Sequence, residues 1–539
     1  MGIIKTIKAI FNKSQEKQTD KISGNQWNKP LFSDLKANIH KVQQAVGNST
    51  DVIIREMKVG ESGDVIAAVI YTDGLTDTKS VNNFVIENLL QDLRLTEVKQ
   101  KVKTENILQI MRDFALTVGE IKEVSDFETF LTSVLSGDTA ILIDGYSSSF
   151  LLSLREWDER GVTEPSAQTV IRGPREAFSE NIRTNTALIR RKIKDHNLWL
   201  ESKQIGRVTK TNVAIMYIHG IANEKVLEEV RSRLNRIDID GILESGYIEE
   251  LIQDKTYTTF PTVFNSERPD TIAGGLLEGR VAILVDGTPF VLLVPAIFTQ
   301  YFQSAEDYYQ RADIGSLLRI LRYISFFVAL LGPSLYVAVT TFHQEMLPTQ
   351  LLISLASQRE GVPFPTLIEA MLMEITFEIL REAGIRMPRA VGQSVSIVGA
   401  LVIGQAAVEA GIVTAAMVIV VSITAIASFV SPNFNMAIAV RILRFPIMLL
   451  AATFGLYGIT VGLVALVFHL CSLRSFGVPY LTPFAPFIAV DQKDAIFRVP
   501  LWGMFSRPRL ISQKNIYREN TSPDMNTNPR NSEKDGAAE

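Results

Sequence analysis

Five glutamates in one short stretch, Glu360, Glu369, Glu374, Glu378 and Glu382, are the residues of this chain best placed to do chemistry. Glu374, Glu378 and Glu382 recur every four residues, which sets them on one face of a helix with Glu369 near it. Ile368, Leu372, Ile375, Ile379 and Leu380 populate the remainder. Just upstream, Gly361-Val362-Pro363-Phe364-Pro365 interrupts the helical text, because proline lacks an N–H and clashes with the preceding turn. Carboxylates in this pattern attract cations. Repeated around the axis of an oligomer they form acidic rings, with Val362 as an apolar constriction. The candidate pore and gate residues are therefore Glu360, Val362, Pro363, Pro365, Glu369, Glu374, Glu378 and Glu382. The alternative is a helix lying in the membrane interface with a solvated acidic face.

Little else suggests catalysis. The chain has no G-x-x-x-x-G-K-[ST] phosphate loop, G-x-S-x-G elbow or H-E-x-x-H pair, the short motifs with a known mechanism. One cysteine, Cys471, and five scattered histidines exclude an intrachain disulfide and argue against a cysteine-based metal site. No cofactor and no enzyme activity are expected. A net charge of −4 gives no reason to expect nucleic-acid binding. A basic run, Arg172, Arg175, Arg183, Arg190 and Arg191, follows Glu164. It reads as a solvated connecting helix opening at Pro174, or as a docking surface for an acidic partner or lipid headgroups.

The acidic segment lies among long apolar runs that begin near Leu317. A span takes roughly 20 apolar residues, and four stretches qualify: 318–342, with Gly332-Pro333 at its middle, 391–408, 412–430 and 445–470. Gly458 and Gly462 form a GxxxG suited to close helix packing. Segment 347–388 is too charged for a lipid-facing span and too apolar for a free loop, so it reads as interfacial or re-entrant. Four spans keep both termini in the cytosol but leave Arg386, Arg389, Arg441 and Arg444 on the far side, against the positive-inside trend. Letting the acidic helix span as well repairs this but exports the basic tail.

The first three hundred residues are soluble text written twice. Strand-like 64–74 and 211–220 each end in a glycine turn and lead into helical text, Lys79–Leu93 and Asn223–Leu234. Each is followed, after about seventy residues, by two apolar runs around an Asp-Gly hairpin turn, Asp144-Gly145 and Asp286-Gly287. The fold class expected is an α/β soluble region of two related mixed-sheet subdomains, followed by an α-helical polytopic membrane domain. The expected order is an interfacial arm (1–50), subdomain one (51–160), a basic linker helix region (161–207), subdomain two (208–310), the membrane domain (311–475) and a tail (476–539) disordered after about 510. The interrupted apolar stretch at the N-terminus does not fit a signal peptide, which places the soluble region in the cytosol.

Four long blocks carry a resemblance: RGPREAFSENIRTNTALIRRKIK, FPTVFNSERPDTIAGGLLEGRVAILVDGTPFVLLVP, the stretch from EGVPFPTLIEAMLMEITFEILREAGIRMP to QAAVEAGIV, and SPNFNMAIAVRILRFP. They resemble the A subunit of GerA-type spore germinant receptors over nearly the whole chain. The resemblance implies a multi-pass protein of the spore inner membrane with its N-terminal domain on the spore-core side. It also implies a transporter-like B subunit and a lipoprotein C subunit as partners, nutrient sensing, and a homo-oligomeric A subunit as the ion-conducting element. A non-conducting scaffold or signal-transducing subunit of the same receptor is the alternative.

Overall fold

The computed structural model describes residues 29–59, 65–86, 121–155, 165, 168–387, 402–513 and 515–518. The first 28 residues of the arm expected over 1–50 and most of the span expected over 391–408 lie outside them. The described residues fall into two compact units, one holding residues up to 162 with 181–203 and 214–219, the other 163–180, 204–213 and 220 onward.

Two five-stranded sheets carry the soluble half. Strands β1 (Val52–Val59), β2 (Val65–Thr72), β3 (Ile121–Val124), β4 (Thr139–Ile143) and β5 (Ser149–Leu152) pair in the order β1-β2-β4-β5-β3. Strands β6 (Leu198–Ile205), β7 (Thr211–Ile218), β8 (Phe264–Ser266), β9 (Val281–Val285) and β10 (Val291–Val294) pair as β6-β7-β9-β10-β8, the same order displaced by five. Both Asp-Gly turns join the strands expected, and Gly145 and Gly287 take positive φ there (89° and 88°), a region open to residues without a Cβ.

The period-2 alternation of the first sheet is visible in its two cores. Ala68, Ile70, Ala140, Leu142 and Leu151 meet helices α1 (Leu35–Ala45) and α2 (Phe127–Val134), while Val69, Tyr71, Ile141, Ile143 and Phe150 point to the other face with Val81 and Val85. Residues 78–86 are helical, as three α residues followed by a π turn.

The duplication extends one element further than the sequence suggested. Gly145 N–H donates to Ser33 O at 2.8 Å, just before α1. Gly287 N–H donates to Glu180 O at 2.8 Å, just before helix α3 (Ile182–Lys192). The expected linker helix is thus the leading helix of the second repeat. It starts at the Asn181 cap rather than at Pro174, since Asn181 Oδ1 accepts from Arg183 N–H at 2.9 Å. Arg190 is not a docking residue: it is buried and pairs with Asp51 within the first unit. Arg172, Arg175 and Arg183 are exposed, and Arg191 is half-buried.

In the second repeat α4 (Glu224–Arg236), α5 (Ser245–Ile252) and α6 (Pro269–Leu277) follow. A Cβ on Gly275 would lie 2.3 Å from Leu293 Cδ2, so glycine lets α6 lie against β10. The tail stays packed to about residue 518 instead of loosening at 510: Ser506 bridges Tyr517, and Ser512 Oγ donates to Ile221 O at 2.9 Å.

The C-terminal helical region holds α7 (Ala312–Phe342), α8 (Thr349–Glu360), α9 (Thr366–Arg386), a helical stretch over 402–409, α10 (Ala415–Phe429) and α11 (Phe434–Ser472). Among the described residues α7 and α11 are long and apolar enough to cross a membrane.

The fourth expected span proves to be two antiparallel arms. Gly455 has φ 61° and ψ −141°, outside any helix. Gly462 and Ile447 would be about 22 Å apart on a straight helix, yet a Cβ on Gly462 would lie 3.8 Å from Ile447 Cγ1. The chain therefore folds back at Gly455, beside Phe342 and His343 at the end of α7. Gly458 and Gly462 serve this hairpin, meeting Leu450 of the opposite arm. His469 returns to the soluble side, where its Nε2 lies 2.9 Å from Thr258 Oγ1.

Candidate functional site

Partner pairs fix the direction of each helix around the acidic segment. Glu369 meets Thr414 and Arg381 meets Ser428, so α9 and α10 run in parallel. Glu374 meets Arg444 and Glu378 meets Arg441, so the first arm of α11 runs against α9. Tyr336 meets Thr414, and a Cβ on Gly332 would lie 2.8 Å from Thr424 Oγ1, so α7 opposes α10. The acidic helix is therefore a full member of the bundle.

The face of α9 that turns inward is the charged one. Glu369 is fully buried, and its Oε1 accepts from Thr414 N–H and Oγ1–H, both at 2.5 Å. Thr414 is the N-cap of α10, where the orphan N–H groups and helix dipole favour a negative charge. Glu374 is fully buried and paired with Arg444, itself 2% exposed, whose Nε donates to Ala329 O at 2.8 Å. Glu378 accepts from Arg441 Nη1 at 2.6 Å with Arg381 Nη1 3.9 Å away. Arg381 Nη2 donates to Ser428 Oγ at 2.6 Å, and its guanidinium lies 4.3 Å from the Phe429 ring centre. Only Glu382 keeps to the outside, bridging Arg386 at 2.6 Å.

The outward face is apolar. Ile368, Leu372, Ile375 and Ile379 are all exposed, Ile379 by 64%. This reverses the arrangement expected from the sequence: Glu369 and Glu374 are enclosed by their own chain, and neither lines a pore. Glu360, Pro363 and Pro365 are exposed and Val362 is half-exposed, on the turn between α8 and α9. That turn sits near the Gly411 turn, since a Cβ on Gly411 would lie 3.1 Å from Gly361 O. Here the backbone reaches the end of the bundle marked by Gly455.

A second charged cluster stands at the other end. Arg319 Nη1 donates to Asp494 Oδ1 at 2.8 Å and its Nη2 to Asp307 Oδ2 at 3.2 Å, while Arg322 Nη1 donates to Asp307 Oδ2 at 2.7 Å. Asp307 and Arg319 are fully buried, so these arginines anchor α7 to the soluble domain and tail. Burial pushes the nearby Tyr308 phenol up, with Asp494 acting the same way. No group of metal-ligating residues is present among the described residues.

Sequence reasoning found the glutamates but missed Arg381, Arg441, Arg444 and Thr414 as their partners. The signal was present: Arg441 and Arg444, three residues apart, share one helix face just as Glu374 and Glu378, four apart, do. The positive-inside argument treated the arginines as loop charges.

Residues 40–510 match the family model described as Bacillus/Clostridium GerA spore germination protein. The chain is 51% identical to Spore germination protein KA of Bacillus subtilis (strain 168), covering 91% of this chain and 89% of that protein. It is 44% identical to Uncharacterized membrane protein YfkQ of the same organism, with 90% and 93% covered. Spore germination protein GerLA of Bacillus cereus is 40% identical, with 89% and 97% covered. A crystal structure of the N-terminal domain of the A subunit of the Bacillus megaterium spore germinant receptor GerK3 is 43% identical over 50% of this chain and 98% of that one, with a TM-score of 0.41.

Proposed function

Since the chain belongs to the GerA family of spore germination proteins, we propose that it is the A subunit of a nutrient germinant receptor, embedded in the spore inner membrane. The transporter-like B subunit and lipoprotein C subunit are its proposed partners. The observation that carries the membrane reading is the inverted helix α9, with buried Glu369 and Glu374 and an exposed row of isoleucine and leucine. Water rewards the opposite arrangement, whereas lipid solvates the apolar face and drives charges to pair inside.

On the helix directions we propose six crossings: α7, α9, the span expected over 391–408, α10, and the two arms of α11. This topology returns the tail to the side of the soluble domain. Arg441 and Arg444 are neutralised inside the bundle, so they do not count as far-side loop charges. The topology test is single-cysteine labelling in a Cys471→Ser chain with a membrane-impermeant maleimide in intact protoplasts. Cysteines at Glu345 and Phe454 should label from outside, and one at Gln513 only after permeabilisation. Labelling of 345 and 513 from the same side would overturn it.

Within the receptor we assign this chain the conducting role, as a homo-oligomer whose Gly361–Pro365 turn constricts the path, with Glu360 the exposed carboxylate beside it. Reconstituted protein should pass K⁺, with conductance altered by Val362→Ala. Unchanged flux would remove the turn from the pore. The scaffold reading has one specific observation in its favour: Glu369, Glu374 and Glu378 are spent on internal partners and build no acidic ring. A ring that never conducts under activating conditions would establish it.

A further inference from the structure

Arg444 does more than neutralise Glu374. In an α-helix the N–H of residue 333 would bond the carbonyl of residue 329, but position 333 is proline and has no N–H. The carbonyl of Ala329 is thereby released in the middle of α7, the region with least access to water, where an unpaired carbonyl is costly. Arg444 Nε, arriving from the first arm of α11, donates to that oxygen at 2.8 Å. The same guanidinium binds Glu374 through Nη1. One buried side chain thus closes the rung that Pro333 opens and ties α9 to it.

Around this centre the Ile368, Leu372, Ile375 and Ile379 row of α9 faces outward, while Ala370, Leu367, Met373 and Phe377 pack on the bundle core. Glu369 to Thr414, Glu378 to Arg441, and Arg381 to Ser428 add polar links. The turn Gly361–Pro365 is continuous with the first residue of α9, Thr366. A shift of α9 along α7 therefore moves the turn.

We propose that Arg444 is a positioning residue for the Gly361–Pro365 turn, acting by filling the hydrogen-bond vacancy left by Pro333 and holding Glu374. The functional meaning of the turn rests on the conducting role proposed above; the coupling itself does not. Arginine suits the task because its planar fork presents Nε and Nη1 to two acceptors at once. Lysine offers a single charged point.

The test uses the full chain in proteoliposomes with Val362→Cys, reading the maleimide labelling rate at 362 against the exposed native Cys471 by mass spectrometry. Arg444→Lys and Glu374→Gln should each change the relative rate at 362 by about tenfold, the scale of one charge-assisted hydrogen bond. Adding Pro333→Ala to Arg444→Lys restores the N–H and closes the rung within α7, so the rate should return toward the parent value. An unchanged rate in both single variants overturns the positioning role. A changed rate that Pro333→Ala leaves untouched overturns the part assigned to the proline vacancy. K⁺ flux from the same vesicles is a separate readout: absent flux with the expected labelling pattern counts against conduction and not against the coupling.

Discussion

Buried charge has different consequences at different residues of this chain. Arg190 and Asp51 form a buried pair tying the start of β1 to α3. Arg190→Ala leaves the Asp51 carboxylate buried without its cation, which should destabilise the protein by about 3–5 kcal/mol, measured by thermal unfolding of the detergent-solubilised chain. Glu249 on α5 is instead held near neutrality. Burial, opposed by the Asn265 hydrogen bond at 3.3 Å and aided by the Glu244 charge, pushes its carboxyl up to about 7. A carboxyl raised in the folded state binds its proton more tightly there than in the unfolded chain. Its contribution to stability is therefore fully present below the unfolded value, near 4.5, and is lost as pH rises through about 7. Unfolding temperatures from pH 5 to 8 should fall with pH in the parent chain, and the fall should be smaller in Glu249→Gln.

Among the elements, the hairpin of α11 depends on one residue. Gly455 sits at φ 61°, and a Cβ there would lie 2.6 Å from the His343 ring. Gly455→Val combines a disfavoured backbone region with a clash. The expected result is a large drop in the amount of folded chain recovered from membranes, with Gly462→Ala much milder because its Cβ would come closest to the flexible tip of Leu450, at 3.2 Å, and meet Ile447 at an ordinary 3.8 Å. Equal yields for both would refute the turn. Hydropathy could not reveal this hairpin. A glycine within a long apolar run reads as helix packing, and both arms are apolar enough to merge into one span.

For the whole molecule, the proposed conducting role predicts a membrane-bound homo-oligomer. Images of the detergent-extracted protein should show a closed ring with soluble density on a single face. A monodisperse single copy would contradict the oligomeric role. The soluble duplication was readable because the Asp-Gly turns and buried central strands β2, β4, β7 and β9 carry strong local signals. The edge strands β1, β3 and β8 were not. β1 carries exposed Arg55, Glu56 and Lys58, two of them adjacent, and β8 is three residues long.

Local chemistry in the sequence determined the repeated α/β design, the membrane character of the second half, and the helix that carries Glu369, Glu374 and Glu378. Those features depend on spacing along the chain, which periodicity reports directly. Which way that helix faces was decided only by tertiary structure. An amphipathic helix has the same period whether its charged side meets water or other charges, and the choice lies with Thr414, Arg441 and Arg444, which stand 45, 63 and 70 residues beyond their partners Glu369, Glu378 and Glu374. The reversal at Gly455 likewise needed the opposing arm to be seen. Both decisions rest on contacts between distant residues, and they turn an apparent acidic surface into an internal charged seam.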